Sequence, residues 1–166
     1  EIDSQIKKLM PQGNGLKIGV SWLTFAKKNG KKRSLSSEEL SSIVNSSNHT
    51  FINLQYGDTR KSLEQFSKIS NKSLYEIPGI DLTYNIDSLA SIIKNCDLII
   101  TIDNSTAHLA AALGKPVWIL LPTNSDFRWM ENKEESIWYK NVLLLRQNKK
   151  NNWSEVIQNI NSALDQ

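Results

Sequence analysis

Four polar residues, Asp103-Asn104-Ser105-Thr106, directly follow the apolar run Leu98-Ile-Ile-Thr-Ile102 and directly precede Ala107-His108-Leu109-Ala-Ala-Ala-Leu113-Gly114. Short side chains that accept hydrogen bonds, placed there, supply helix N-cap chemistry. The N–H groups of a first helical turn point outward without partners, and together with the helix dipole they attract an anion. The chemistry this spacing suggests is the binding of a phosphate-bearing ligand, with His108 one turn further along beside it. The same residues have a purely structural reading. Every strand-to-helix turn needs a cap, and a lone histidine is commonly a hydrogen-bonded structural residue.

Two further groups carry chemistry. The basic run Lys27-Lys28-Asn29-Gly30-Lys31-Lys32-Arg33 follows the first predicted strand and is expected to rise from the same sheet edge as the 103–108 turn. Cations facing a helix N-terminus make a pyrophosphate pocket, and Arg33 offers bidentate contacts. Alternatively the lysines are a solvated loop. A nucleic-acid patch is disfavoured, because the run has no interleaved aromatics and the chain has no strong global charge. The second group is Asp126-Phe127-Arg128-Trp129, Trp138-Tyr139 and Arg146-Gln147. Aromatic platforms with polar partners suit the flat faces of sugars or bases. The competing role is mechanical, with Trp129 or Trp138 fastening a loop to the domain. Arg146 is expected to brace that loop by pairing with Asp126 or Glu131.

The elements that must position these groups alternate along the chain. Residues 2–10 read as a short helix, stopped by Pro11 and Gly13. Leu16 to Trp22 reads as a strand, and Thr24 to Ser34 as a loop. A helix follows from Ser36 to about Ser46, with a serine cap and an acidic first turn. Thr50–Gln55 is a strand, Thr59–Ile69 a helix, and Leu74–Ile80 a short strand. Ile86–Asn95 is a helix with Asp87 as its cap. Strand 97–102, helix 105–113 ended by Gly114, and strand 116–121 come next. Val142–Leu145 is a last strand and Trp153–Leu164 an amphipathic closing helix. Strands alternating with helical patterns imply right-handed βαβ units and a doubly wound parallel sheet. The expected fold is therefore α/β and Rossmann-like, one domain over residues 1–166. Ligands in such sheets bind at the carboxyl ends of the strands.

Composition bounds the function. The 166 residues suffice for one domain with a sizeable core. The net charge is only +3. Cys96 is the single cysteine, which excludes an internal disulfide and fits a reducing compartment. It is expected to be a buried, small apolar residue. No apolar run reaches the roughly 20 residues that span a bilayer, and the expected location is cytoplasmic. The first residue is not Met, which suggests a piece of something longer. After the first strand stands Ser21-Trp22-Leu23 in place of a glycine-rich dinucleotide turn, and no Walker A sequence follows. Clustered metal ligands and a serine-hydrolase elbow are also missing.

The chain resembles the C-terminal domain of glycosyltransferase family 9, the ADP-heptose:lipopolysaccharide heptosyltransferase group, in the variant found behind tetratricopeptide repeats in bacterial proteins. The resemblance runs through Ile18-Gly-Val-Ser-Trp22, Arg33-Ser34, Leu54-Gln55, Asp97-Leu-Ile-Ile-Thr-Ile-Asp103, Ala107-His108-Leu-Ala, Ala112-Leu-Gly-Lys-Pro-Val-Trp118, Asp126-Phe-Arg-Trp129, Trp138-Tyr139 and Leu145-Arg-Gln147. It implies the donor-binding half of a GT-B glycosyltransferase, which takes a nucleotide-diphosphate sugar such as ADP-heptose without a metal or other cofactor. Carried over, the N–H groups around Ser105, Thr106 and Ala107 hold the diphosphate, Asp103 orders the turn, and His108 lies near the phosphates or sugar. Gln55 or Asp58 reaches the ribose, and Ser21, Trp22, Arg33 and Asn104 complete the donor site. The family usually has Thr or Ser where this chain has Asn104, and its tail differs at Phe127, Ile137 and Lys140. The proposed general base belongs to the N-terminal, acceptor-binding domain, so the domain alone is expected to be inert. The alternatives are a non-catalytic nucleotide-binding or protein-interaction scaffold and a sugar-nucleotide epimerase.

Overall fold

The computed structural model describes residues 2–26 and 30–165. Five parallel strands, β1 (Lys17–Ser21), β2 (Thr50–Asn53), β3 (Leu98–Ile102), β4 (Val117–Leu121) and β5 (Val142–Arg146), form one sheet in the order β2-β1-β3-β4-β5. Ser21 pairs with Thr101, Ile102 with Leu120 and Leu121 with Arg146, so the carboxyl ends stay in step along one edge. This is the expected doubly wound α/β sheet.

Side-chain alternation explains why the strands are apolar without gaps. Leu98, Ile100 and Ile102 face one layer, built by helices α3 (Ser37–Val44), α4 (Arg60–Ile69) and α7 (Ser154–Leu164). Ile99 faces the other, built by α1 (Ile2–Leu9), α5 (Ile86–Lys94) and α6 (Ser105–Ala112). A strand covered on both sides has no solvent face on which to place polar residues. Ala107, Ala110 and Ala111 are the buried face of α6, and their small size seats it close to the sheet. Gly114, at φ +74°, takes the left-handed turn that ends it. Ser36 and Glu39 form a reciprocal capping box at the start of α3. Cys96 is buried, and burial pushes its thiol up to about 12.

Three expectations change. The strand foreseen over Leu74–Ile80 contracts to Tyr75, which bridges Ile52 at the edge of β2. Pro78 lacks an N–H, and Gly79 turns at φ +73°. Asn85, not Asp87, caps α5, its Oδ1 accepting from the Ser88 N–H at 3.0 Å. The segment 24–34 contains one helical turn, α2 (Gly30–Arg33), and Lys27, Lys28 and Asn29 lie outside the described residues.

Gly19 sits where β1 meets both neighbours. A Cβ there would stand 2.4 Å from Leu54 Cδ1 and 2.8 Å from Ile99 Cδ1, both fully buried. Gly19→Ala is therefore expected to destabilise by about 1–3 kcal/mol. In urea unfolding this reads as a lower midpoint at unchanged slope. An unmoved midpoint would show that the packing of Leu54 and Ile99 against β1 is loose.

Candidate functional site

After β1 the chain turns toward β2, whereas β3 leads on to β4, so the gap between the carboxyl ends of β1 and β3 is the topological switch point. Two buried amides build its floor. Gln55 Oε1 accepts from Ser21 Oγ at 3.1 Å, Trp22 N–H at 2.8 Å and Leu23 N–H at 2.7 Å. Its Nε2 donates to the carbonyls of Leu23 and Tyr56, both at 3.1 Å. From the other side Asn104 Nδ2 donates to Ser21 Oγ at 2.9 Å. Asn104 Oδ1 accepts from Thr101 Oγ1 at 3.2 Å and from the Ala107 N–H at 3.3 Å, which makes it the cap of α6.

Ser21, Trp22, Gln55 and Asn104 are thus scaffold of the turn. Gln55 has no donor or acceptor left for a ribose, which corrects the expectation for its side chain. Buried Trp22 donates its indole N–H to Ser62 Oγ at 2.9 Å. Asp58 is exposed and paired with Arg60 at 2.7 Å, a bond that holds its carboxyl down at about 2.

The groups that remain surround the N-terminus of α6. Ser105, its first residue, is exposed. Thr106 and Ala107 are buried, and among the described residues nothing pairs with Thr106 Oγ1. Asp103 is only 3% exposed and its Oδ2 lies 3.4 Å from Arg33 Nη1. That separation suits an ion pair but falls short of hydrogen-bond geometry. Arg33 Nη2 reaches Thr24 Oγ1 at 3.3 Å, and Arg33 Nε has no partner among the described residues. The guanidinium therefore neutralises a buried carboxylate and still has donors to offer.

His108 stands one turn into α6, stacked on Trp129 with ring centroids 4.9 Å apart and planes 21° from parallel. Its Nδ1 lies 3.1 Å from Tyr139 Oη. Burial, and then the positive Arg128, pull its pKa below the ordinary histidine value. Trp129 is fully buried, so it fastens the loop, whereas Trp138 is 64% exposed and donates its indole N–H to the Arg128 carbonyl at 3.1 Å. Arg146 braces the loop through neutral oxygens: the carbonyls of Trp129 and Met130, at 3.2 and 2.7 Å, and Ser125 Oγ. This replaces the foreseen pairing with Asp126 or Glu131. Asp126 instead holds Arg128 at 2.8 Å, the bond that depresses its own pKa. Sequence reasoning missed Thr24 and the pairing of Tyr139 with His108. Tyr139 stood in a noticed motif, but no spacing rule joins positions 31 residues apart.

Known proteins share this architecture. Residues 38–158 match the family described as glycosyltransferase family 9 (heptosyltransferase). Protein FlbA of Caulobacter vibrioides is 27% identical over 162 residues, which cover 97% of this chain and 26% of that protein. A solved glycosyl transferase family 9 protein from Veillonella parvula superposes with a TM-score of 0.68 at 10% identity, over 88% of this chain and 40% of that one. The E. coli ADP-heptose LPS heptosyltransferase II superposes with a TM-score of 0.72 at 12% identity, over 99% of this chain and 50% of that one. The chain thus spans half or less of the length of these relatives. It belongs to glycosyltransferase family 9, and its fold is that of the heptosyltransferase structures.

The environment of His108 sets a pH dependence. A histidine whose folded pKa is depressed binds fewer protons folded than unfolded between the two values. Its contribution to stability is complete above the ordinary value of about 6.5 and is lost as pH falls through the folded pKa. Proton NMR of the His108 ring is expected to show a midpoint below about 6.5. A midpoint at or above that value would contradict the half-buried, Arg128-facing placement.

Proposed function

We propose that this chain is the donor-binding domain of a GT-B glycosyltransferase, one domain over residues 1–166 of a longer protein, which holds the diphosphate of a nucleotide sugar at the start of α6. The observation that carries the reading is that the first N–H of α6, on exposed Ser105, stands two residues after Asp103, whose carboxylate lies 3.4 Å from the guanidinium donors of half-buried Arg33. A diphosphate supplies the acceptors those donors lack. Asp103 keeps the guanidinium in place, and the ring of His108 borders the same space.

In the transfer, the sugar's bond to the diphosphate breaks as an acceptor oxygen bonds to the anomeric carbon. The acceptor's proton passes to a base supplied from outside this chain. Negative charge grows on the departing diphosphate, where oriented N–H groups and Arg33 stabilise it. Each such donor contributes on the order of 2–4 kcal/mol to lowering the barrier. Helix terminus and guanidinium do here what a metal ion does elsewhere, so the reading is of a metal-independent enzyme with no further cofactor. The domain alone binds donor and does not transfer. ADP-heptose is the first donor to test, since the E. coli neighbour is described by it. The resemblance extends the reading to a bacterial, cytoplasmic protein with tetratricopeptide repeats or an acceptor-binding domain beside this one.

Calorimetric titration with ADP, GDP and UDP, without added metal, tests the proposal. One of the three is expected to bind saturably. Ser105→Pro removes a single N–H at the first position of α6, where proline suits the helix and extended Asn104 (φ −147°, ψ −175°) tolerates it. Losing one charge-assisted hydrogen bond is expected to weaken binding about tenfold. Arg33→Lys, which keeps the charge beside Asp103 and removes the fork, is expected to act in the same direction. No binding by folded protein, or binding unchanged in both variants, would favour the scaffold reading.

A further inference from the structure

A second cleft, of about 320 Å³, opens at the carboxyl ends of β4 and β5, and Arg33 forms part of its wall. Lys32, Arg33 and Lys150 bring three cations to its lining, against the single carboxylate of Asp126, which Arg128 already holds at 2.8 Å. The lining is otherwise mostly amides and hydroxyls, a surface for a hydrated, oxygen-rich group rather than for a flat apolar ring.

Gln147 is the built feature of this cleft. Its N–H donates to the Leu121 carbonyl at 2.9 Å, so it extends β5 rigidly. Its Oε1 accepts from the Asn151 N–H at 3.2 Å, which fixes the orientation of the amide. Asn151 adopts φ +57° there, a left-handed conformation that asparagine tolerates better than most residues. The other end of the amide, Nε2, has no partner among the described residues, although Gln147 is only 3% exposed. Folded interiors rarely leave such a donor unsatisfied, and where they do a bound group is one explanation.

We propose that this cleft is an oxyanion subsite for an acidic sugar, a monosaccharide bearing a carboxylate or a phosphate. Gln147 Nε2, Lys32 and Lys150 are its donors. Arg33 belongs both to this wall and to the pair with Asp103, so the subsite adjoins the place assigned to the diphosphate. The proposal rests on the donor-domain reading only for its place in the reaction. A sugar beside the leaving group is either the one transferred or the one that accepts.

The test is amide NMR of the whole chain with glucuronate and inorganic phosphate as probes and glucose as the neutral control. Both anions are expected to shift the Gln147 side-chain amide and the Asn151 N–H, also under saturating nucleoside diphosphate. Lys150→Ala is expected to raise their apparent Kd about two- to fivefold, the reach of a solvent-exposed charge. UDP-glucuronate that moves the Thr106 and Gln147 signals together and excludes free glucuronate assigns the acidic sugar to the donor. Free glucuronate that still binds beside it assigns the acidic sugar to the acceptor. The proposal is overturned if neither anion moves these signals, if glucose moves them equally, or if a nucleoside diphosphate displaces the anions. Anion binding without any nucleotide binding would end the donor-domain reading and leave this subsite standing.

Discussion

Where β1 and β3 end side by side, the amides of Gln55 and Asn104 close on Ser21 from opposite directions. Parallel strands that stop together leave backbone N–H and carbonyl groups with no further ladder to join, and buried polar groups must find partners. Gln55 answers for residues 21–23, and Asn104 for the first turn of α6. One connected network therefore sets the path of the loop after β1 and the angle at which α6 leaves the sheet. Arg33, Asp103 and the first turn of α6 depend on both. A network of this kind is rigid when fully satisfied and costly when broken.

Electrostatics then divides the edge. Asp103 is a buried negative charge beside the expected place of an anion, an arrangement that would repel a phosphate were Arg33 absent. With the guanidinium 3.4 Å away the pair is near neutral, and the helix dipole and the remaining Arg33 donors set the sign of the site. On the far side, the loop between β4 and β5 folds back so that Trp129 and Tyr139 cover His108. Arg146 secures that fold by binding the loop's carbonyls. Helix α6 and the aromatic loop thus meet at one histidine.

Most of the architecture was legible because it rests on local rules. The gapless run Leu98–Ile102, the polar turn after it and Gly114 at the end of α6 each follow from burial or backbone conformation at a few neighbouring residues. What was not legible is pairing across distance. Gln55 ends a strand at the carboxyl edge of the sheet, as a ligand contact would, yet Ser21, Trp22 and Leu23, 32–34 residues earlier, together with the neighbouring Tyr56 carbonyl, consume its amide. Arg146 was assigned carboxylates by charge, whereas nearby carbonyls without partners were the stronger draw. Tyr75 shows the same limit, since an edge bridge of one residue has no periodicity to read.

Under the proposed function, a nucleotide's diphosphate rests on the N-terminus of α6 beside Arg33. Diffraction from crystals of this chain grown with the nucleoside diphosphate it binds most tightly tests it most directly. Phosphate oxygens are expected within hydrogen-bond distance of the Ser105 N–H and of the Arg33 guanidinium, with the Gln55–Ser21–Asn104 network unchanged. A nucleotide seated elsewhere on the sheet edge, with no phosphate oxygen near the Ser105 N–H or Arg33, would contradict it.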